Sequence, residues 1–354
     1  MKVKVYIIIL NWNGWPDTVE CLESVLKSSY PNFHVVICDN GSTDGSCDKI
    51  LDWAEGKCEL ILCSENPQVN CLISPPVAKP LGIFECSRDE ALLGGNPESA
   101  QCRVTMIRNG ANLGFAGGNN VGIRYALTKN DFEYAWLLNN DTVVHQDALA
   151  RMVERMTDCT KAGICGSKLL FYDSPDTVQA LGGATFNRYL SIPQHIGVGL
   201  KSGCPVDRLL VEAEMDYVVG ASMLVSGTFL RQIGLLEEEY FLFYEEIDWA
   251  VRSKGRFSLV FAPDSVVYHK EGRSIGTNSL PGADSIKSDY FRTRNRIVFT
   301  KKHFPWLLPL TYLVVFIVLL NRVRRRQWKR VAMVAAILFG NNTVALSIVA
   351  GEDK

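Results

Sequence analysis

The sequence lacks an excess of charge of either sign. Lysine and arginine together number 37 and aspartate and glutamate 38 among 354 residues, which gives a net charge of −1. A general nucleic-acid binder needs a broad positive field, so we expect no nucleic-acid partner. A local imbalance does exist at residues 321–330 (NRVRRRQWKR), which hold six cationic side chains and no acid.

The chain also lacks the cysteine spacing of a disulfide framework or a zinc site. Its 11 cysteines are odd in number, contain no C-x2-C pair, and eight of them precede residue 103. Small extracellular domains and zinc sites are therefore disfavoured, and we expect reduced thiols in a cytosolic compartment.

We expect no cleavable leader either. The opening MKVKVYIIIL passes directly into the polar NWNG, with no small-residue cleavage site between them. Its β-branched residues indicate a first buried strand instead. The length of 354 residues suffices for one large α/β domain or two smaller ones.

Short apolar segments alternate with amphipathic ones along the first 300 residues. Predicted helices include residues 17–28, 119–128 and 147–157. Predicted strands cover residues 4–10, 34–38, 59–63, 103–107, 134–138 and 259–269. This alternation predicts a doubly wound, mostly parallel α/β sheet with helices on both faces. Residues 64–101 contain PP, KP, GG and NP breakers, so we interpret them as an irregular insertion, a lid or a flap.

Three polar clusters follow predicted strands: DNGSTD, NLGFAGGNN and NNDT. Ligands of such sheets bind beyond the carboxyl ends of the strands, so the clusters predict one shared site. Asp39 could accept from a pyrimidine imide or a ribose hydroxyl, although a turn with a helix cap uses the same residues. The glycines at 114, 117 and 118 do not match G-x-G-x-x-G, which disfavours a dinucleotide oxidoreductase and leaves a tight strand-to-helix turn as the alternative.

The NNDT cluster ends in a hard carboxylate, Asp141. Such a group with an amide neighbour suits Mg²⁺ or Mn²⁺, with phosphate oxygens as the other ligands, and a capped helix start is the alternative. His269 ends an apolar strand, where it is either a core histidine or a ligand of metal or phosphate.

The YEEIDW segment places Glu245, Glu246 and Asp248 within four residues. On a helix, Glu245 and Asp248 share a face while Glu246 points elsewhere. Like charges this close raise one another's pKa values, which suits a general base. The alternative is a solvated acidic helix start.

The order of motifs ILNWNG, CDNGSTDGS, NLGFAGGNN, LLNNDT, FLFYEEIDWAVR and VVYHKEGRS resembles that of family 2 glycosyltransferases of the GT-A fold, and within them a bacterial rhamnosyltransferase-like branch. The resemblance covers residues 3–300 except 64–101. It implies inverting transfer of a sugar from a UDP- or dTDP-linked donor.

The resemblance also implies roles for individual residues. Asp141 matches the metal-binding carboxylate of the family's D-x-D motif, which here has Asn139 and Asn140 and so fewer negative charges. Glu246 matches the catalytic base, with Glu where Asp is usual, and His269 matches a metal or diphosphate ligand. The residues expected to bind the nucleotide sugar are Asn11, Asp39, Asn40, Asn112, Gly114, Asn120, Asn139, Asn140 and Arg294.

Residues 301–354 differ in character from the rest and form a predicted membrane-associated tail. Residues 306–320 are almost wholly apolar, but as a helix they would reach about 22 Å, short of the roughly 30 Å hydrocarbon core. Crossing would also place the arginines that follow outside the cytoplasm. We expect an interfacial or re-entrant hairpin on the cytoplasmic face of the cell membrane, with a two-span hairpin and a purely structural helical pair as alternatives. A lipid-linked or glycan acceptor fits this location.

Two other functions compete with glycosyl transfer. A nucleotidyltransferase would carry a G-x-G-T-R-like loop after the first strand, and ILNWNG does not match it. A membrane-bound nucleotide-sugar binder without catalysis would explain the two asparagines of NND, but Glu246 and Asp248 argue against it.

Overall fold

A computed structural model of the chain describes residues 2–58, 64–95, 102–270 and 285–350. The strands are β1 Val5–Asn11, β2 Phe33–Asp39, β3 Ile83–Ser87, β4 Val104–Arg108, β5 Tyr134–Asn139, β6 Thr142–Val144, β7 Ala162–Phe171, β8 Ser174–Leu181, β9 Gly183–Asn187, β10 Ile192–His195, β11 Tyr217–Val218, β12 Ser222–Ser226 and β13 Ser258–His269. The helices are α1 Trp15–Val25, α2 Ser46–Glu55, α3 Pro67–Ile73, α4 Arg88–Leu92, α5 Gly114–Lys129, α6 Ala148–Thr157, α7 Arg208–Glu214, α8 Gly227–Ile233, α9 Glu245–Ser253, α10 Ile286–His303, α11 Leu308–Arg324, α12 Trp328–Leu338 and α13 Asn342–Ala350. Short 3-10 helices occupy Glu238–Tyr240 and Pro305–Leu307. The predicted strand at residues 59–63 lies outside the described residues.

Ten of the described strands form one sheet, in the order β3-β4-β2-β1-β5-β12-β7-β13-β6, with β8 paired to β7. In the sheet order from β3 to β5, each strand is parallel to the next one. The pair β7–β13 is parallel as well. The antiparallel pairs involve β12, β6 and β8. The predicted mostly parallel α/β sheet is therefore confirmed. A separate sheet, β10-β9-β11, is antiparallel.

Both faces of the sheet are covered by helices, as the continuous apolar run of β1 requires. Successive side chains of a strand point to opposite faces. Accordingly, Ile7 and Ile9 pack in one hydrophobic cluster with Leu22 of α1, while Ile8 packs in another with Ile123 of α5. The prediction of a doubly wound arrangement is confirmed by this alternation.

The prediction that the insertion is irregular was wrong for its described part. Residues 64–95 contain α3, β3 and α4, and β3 extends the sheet by pairing in parallel with β4. Helix α4 begins with a capping box in which Ser87 and Glu90 exchange hydrogen bonds. The proline breakers separate these short elements rather than prevent them.

The C-terminal helices share a hydrophobic core with α10. Tyr290 and Phe291 of α10 pack with Val315 of α11, Met333 of α12 and Ala345 of α13. The proposed domain boundary near residue 300 thus falls within α10, which continues to its last residue at 303. Among the described residues, the segment Pro305–Arg324 is long and apolar enough to cross a membrane by length and composition.

Candidate active site

The carboxyl ends of β1, β2 and β5 bring polar side chains to one edge of the sheet. The parallel register pairs Asn11 with Asp39 and places Asn139 beside Leu10. Asn11 Nδ2 donates to Asp39 Oδ1 at 2.8 Å, and the other carboxylate oxygen accepts from the backbone N–H of Ser42 at 3.1 Å. A carboxylate offers about four lone-pair positions, so Asp39 keeps acceptor capacity for a ligand.

Asn40 connects the end of β2 to the start of α5. Its Nδ2 donates to Asn112 Oδ1 at 3.0 Å and to the carbonyl of Gly114 at 3.1 Å, and its Oδ1 accepts from Asn109 and from the N–H of Leu113. Gly114 has φ +72°, and a Cβ there would overlap with the carbonyl oxygen of Phe241. These residues shape the turn itself, which is the alternative that the sequence left open.

Asn120 and Arg294, two of the predicted donor-binding residues, form hydrogen bonds with residues 236–239, which precede α9. Asn120 donates to the Leu236 carbonyl and to Glu238 Oε1, both at 2.9 Å, and accepts from the Leu236 N–H. Arg294 donates to the Glu239 carbonyl at 2.9 Å. The structure therefore places both residues in the scaffold around that segment, apart from the cluster at the strand ends.

Asp141 and His269 meet because β6 and β13 pair antiparallel, with His269 opposite Thr142. Asp141 is 4% exposed, and its Oδ1 lies 3.2 Å from His269 Nε2. Within the described part of the chain this buried oxygen has no hydrogen-bond partner. Burial acts to raise the pKa of the Asp141 carboxyl, but the charge and contact of His269 outweigh it, so the pKa lies below its ordinary value.

Gln179 of β8 orients the imidazole of His269. The Nδ1–H of His269 donates to Gln179 Oε1 at 2.9 Å, which turns Nε2 towards Asp141 Oδ1, and Asn139 Nδ2 lies 3.5 Å from the same nitrogen. Gln179 is itself buried. Gln179 was not predicted as a site residue, because an isolated glutamine in a strand carries no signal of such a role.

The Asp141–His269 pair fits a divalent cation. A buried carboxylate oxygen and an imidazole nitrogen whose ring is oriented by a neighbouring side chain are both suitable metal ligands. No group of three or more His, Cys, Asp or Glu side chains suited to a metal occurs in the residues that the structure describes. The pair would thus supply two ligands, and a donor diphosphate would have to supply others.

The NND turn is fixed to α1 from two sides. Asn140 Nδ2 donates to Thr18 Oγ1 at 3.1 Å and to the Gly14 carbonyl at 3.3 Å. Lys270, next to His269, forms buried ion pairs with Asp17 and Glu20 of α1. Burial acts to lower the pKa of Lys270, but the two carboxylates outweigh it and the pKa is raised. The metal-binding candidates are therefore held rigidly.

An aromatic loop, residues 240–244 (YFLFY), leads into α9. Three of its residues have positive φ: Phe241 at +64°, Phe243 at +65° and Tyr244 at +79°. Such conformations are strained for bulky side chains and persist only when the surroundings enforce them. Asn295 of α10 enforces this one, because its Nδ2 lies within 2.8–3.1 Å of the carbonyls of Tyr240, Leu242 and Phe243.

The aromatic loop places Glu245 and Glu246 at the start of α9. Glu245 is 1% exposed, and its Oε2 has no hydrogen-bond partner among the described residues. Glu246 is half-buried and lies against Gly220. Burial raises the pKa of Glu246 to about 7, and burial together with repulsion from Glu246 raises the pKa of Glu245 well above its ordinary value. The first turn of α9 thus carries two carboxyls of high proton affinity.

Asp248 has a different environment, although it lies on the same helix. It accepts from His303 Nε2 at 2.6 Å, from Lys302 Nζ at 3.0 Å and from Arg252 Nε at 2.5 Å. Burial acts to raise the pKa of Asp248, but His303 and Arg252 outweigh it and hold the pKa far below its ordinary value. Asp248 therefore joins α9 to α10 through ion pairs, unlike Glu245 and Glu246, the other two predicted catalytic acids.

The chain resembles known proteins in sequence and in fold. Residues 6–70 and 97–204 match the model of Glycosyl transferase family 2. The low-salt glycan biosynthesis hexosyltransferase Agl10 of Haloferax volcanii is 24% identical over 67% of this chain and 74% of its own length. The dTDP-rhamnosyl transferase RfbF of Shigella flexneri is 25% identical over 60% of this chain and 68% of its own length.

Solved structures give the fold. The mannosyltransferase PcManGT of Pyrobaculum calidifontis, in complex with GDP-Man and Mn²⁺, aligns with a TM-score of 0.50 and 13% identity over 97% of this chain and 88% of its own. GalNAc-T7 with UDP, GalNAc and Mn²⁺ aligns with a TM-score of 0.52 and 12% identity over 87% of this chain and 56% of its own. The fold is of the GT-A type. Together with the motifs and the matched family model, these findings identify the chain as a glycosyltransferase that belongs to Glycosyl transferase family 2.

Proposed function

We propose that the protein is an inverting hexosyltransferase that moves a sugar, with rhamnose the favoured candidate, from a UDP- or dTDP-linked donor to a hydroxyl of a lipid-linked or glycan acceptor. The observation that carries the proposal is the Asp141–His269 pair at the carboxyl ends of the strands, whose buried carboxylate oxygen has no hydrogen-bond donor among the described residues beyond its contact with His269. The relative named as a dTDP-rhamnosyl transferase supports the choice of sugar.

The donor nucleoside is assigned to the ends of β1 and β2. Asp39 is oriented by Asn11 and by the Ser42 N–H, and it would accept from the pyrimidine imide or a ribose hydroxyl. Asn40, Asn112 and Gly114 would act indirectly, because they shape the neighbouring turn.

The diphosphate is assigned to the NND turn. Asp141 and His269 would hold Mg²⁺ or Mn²⁺, which supplies charge stabilisation for the leaving diphosphate when bound. The chain contributes a fixed carboxylate and an imidazole whose tautomer is set by Gln179. Few acids surround the site, so the diphosphate itself would complete the ligand set.

Glu246 is the proposed general base. It would take the proton of the acceptor hydroxyl while the acceptor oxygen bonds to the anomeric carbon and the bond from that carbon to the diphosphate breaks. A base works best with a pKa near the working pH, and burial raises that of Glu246 to about 7. Glu245 is almost fully buried and the oxygens of Asp248 are occupied, so neither competes well for this role.

The reaction is placed at the cytoplasmic face of the membrane, where a lipid-linked acceptor would be presented. The exposed apolar residues of α11 and the basic run that follows support this location.

Nucleotide release from a panel of UDP-, dTDP- and GDP-sugars, with Mg²⁺ or Mn²⁺ and with or without extracted membrane lipids, tests the proposal. We expect dTDP-rhamnose or a UDP-sugar to be consumed, and faster when lipid acceptor is present. Donor binding without any turnover in the wild type would instead identify a catalytically inactive nucleotide-sugar binder. The Glu246→Gln variant is the matched control for chemistry.

A further inference from the structure

We propose that α11 lies in the plane of an anionic membrane surface rather than crossing the bilayer, and that it docks the catalytic domain there together with the α11–α12 turn. This inference deepens the proposed function and rests on its membrane location. It concerns how the membrane meets the enzyme, which the apolar sequence alone does not decide.

Two buried contacts fix α11 antiparallel to α10. Near the start of α11, Thr311 Oγ1 donates to Thr300 Oγ1 at 3.1 Å. Near its end, Arg322 pairs with Asp289 at 3.0 Å. Positions 289 and 300 are eleven residues apart, and so are positions 311 and 322. The helices therefore run side by side over about 16 Å.

Asp289 also binds the next helix of the tail. Its second oxygen accepts from Arg330 of α12 at 2.7 Å, so one buried carboxylate joins α10, α11 and α12. Removing one member of such a buried ion pair leaves an uncompensated charge. The tail is thus fixed on the catalytic domain rather than joined to it by a flexible linker.

Helix α10 cannot accompany α11 into hydrocarbon. It exposes Arg292, and its Asn295 holds the aromatic loop of the candidate active site. Arginine on a helix is costly within a bilayer, and the parts of the site attached to α10 would have to follow it. A crossing α11 would have to break the Asp289 and Thr300 contacts, whereas an in-plane α11 keeps both.

The outward face of α11 matches an in-plane position. Leu313, Phe316, Ile317 and Leu320 are all exposed, and their spacing of i, i+3, i+4 and i+7 places them on one stripe. Two largely exposed tryptophans flank the helix, Trp306 at 69% and Trp328 at 64%. Indole rings favour the boundary between lipid and water.

The positive charge next to the apolar stripe of α11 indicates the class of lipid that the helix contacts. Arg324, Arg325 and Arg326 are exposed at the turn between α11 and α12, and Trp328 follows them. Arginines placed beside an apolar stripe at the membrane surface attract anionic headgroups. The proposed partner is therefore a bilayer that contains anionic phospholipid.

Vesicle flotation of the full-length protein tests the choice of lipid. We expect flotation with phosphatidylcholine vesicles that contain phosphatidylglycerol, much weaker flotation with phosphatidylcholine alone, and loss of the difference at high salt. A variant with Arg324→Ser, Arg325→Ser and Arg326→Ser should lose the preference. The control with Lys161→Ser, Lys201→Ser and Lys254→Ser removes three exposed charges elsewhere and should keep it. Equal flotation of the arginine variant, or concentration-dependent self-association without lipid binding, would overturn the proposal.

Cysteine labelling tests the in-plane position. The Arg325→Cys variant, bound to sealed membrane vesicles, is treated with a membrane-impermeant maleimide and analysed by peptide mass spectrometry. Position 325 should be labelled together with the exposed Cys71 and Cys204 of the catalytic domain. Protection of position 325 until detergent is added would show that α11 crosses. Neither readout uses turnover, so a protein that floats but releases no nucleotide would refute the proposed function alone.

Discussion

Gly220 lies against the carboxylate of Glu246, and a Cβ at residue 220 would overlap with Glu246 Oε1. Gly220 belongs to the short connection between β11 of the small sheet and β12 of the central sheet, so this connection delimits the space of the proposed base. The position of Glu246 is therefore set from both sides, by this glycine and by the aromatic loop that precedes α9.

We predict that Gly220→Ala displaces the Glu246 side chain and lowers the rate of transfer at least tenfold, with donor affinity near wild type. The physical reason is a steric conflict at the base and not at the diphosphate site. Gly203→Ala is the matched control, because a Cβ there meets nothing within 4 Å. Transfer rates and donor titrations of both variants decide the matter, and a fully active Gly220→Ala protein would count against Glu246 as the base.

Glu246→Gln should lower transfer by about 10²–10⁴-fold while donor binding persists, since the amide keeps the volume but accepts no proton. Asp248→Asn should instead act on folding, because it disrupts buried ion pairs, with an expected loss of about 3–5 kcal/mol in the free energy of unfolding. Denaturant titration and single-turnover kinetics separate the two effects. A stable Asp248→Asn protein without activity, beside an active Glu246→Gln protein, would reverse the assignment.

The raised pKa of Glu246 predicts a pH dependence. The base must be ionised, so kcat/KM should rise with pH through about 7. The folded protein holds this proton more tightly than the unfolded chain does, and its free energy of unfolding should therefore fall with rising pH over the interval between the two pKa values. The Glu246→Gln variant should lack this contribution to both profiles. A wild-type rate that does not change across neutral pH would contradict the prediction.

Gln179→Leu should weaken metal-dependent donor binding by about 10–100-fold, the usual effect of removing the partner that orients a ligating histidine. Gln194→Leu, on the exposed face of β10, is the control. Calorimetric titration of the donor with and without Mn²⁺ measures the effect, and Asp141→Ala in the same assay should abolish the metal-dependent part. If the Asp141→Ala variant bound the donor with unchanged affinity in the presence of Mn²⁺, the assignment of the metal to the NND turn would be wrong.

Asn295→Ala should release the aromatic loop. Three carbonyl groups would lose their donor, and the positive-φ backbone of residues 241, 243 and 244 would relax. We expect a lower kcat, little change in the KM for donor, and a destabilisation of about 1–3 kcal/mol. Asn295→Asp lacks the N–H groups, so it should not rescue the rate. Proteolysis within residues 240–244 that is faster in the variant would confirm that the loop has loosened.

The sequence predicted the mostly parallel sheet and the meeting of polar side chains at the carboxyl ends of β1, β2 and β5, because parallel strands bring these ends together whatever the intervening helices do. Helix α5 was predicted to start at about residue 119 and starts at Gly114. Glycine disfavours helices, yet a Cβ at Gly118 would overlap with the Leu10 side chain of β1, so close packing against β1 outweighs propensity in the first turns of α5.

The contacts that orient the site could not be predicted. Gln179 lies 90 residues from His269, and Asn295 lies 52–55 residues from the carbonyls that it binds. Neither residue belongs to a periodic pattern or a motif of its own. The family resemblance pointed to Arg294 in the TRNR segment, and only the structure shows that the neighbouring side chain of Asn295 holds the aromatic loop.

The position of Asn295 in the chain also bears on biosynthesis. During synthesis the N-terminal part of a chain leaves the ribosome first and can begin to fold first. The strands β1, β2 and β5, which carry Asn11, Asp39 and Asn139, can pair early, but the aromatic loop before α9 acquires its strained shape only when α10 has emerged. A nascent chain can thus pair the strand that carries Asp39 before it can orient Glu246, because the orientation of Glu246 must await the emergence of α10.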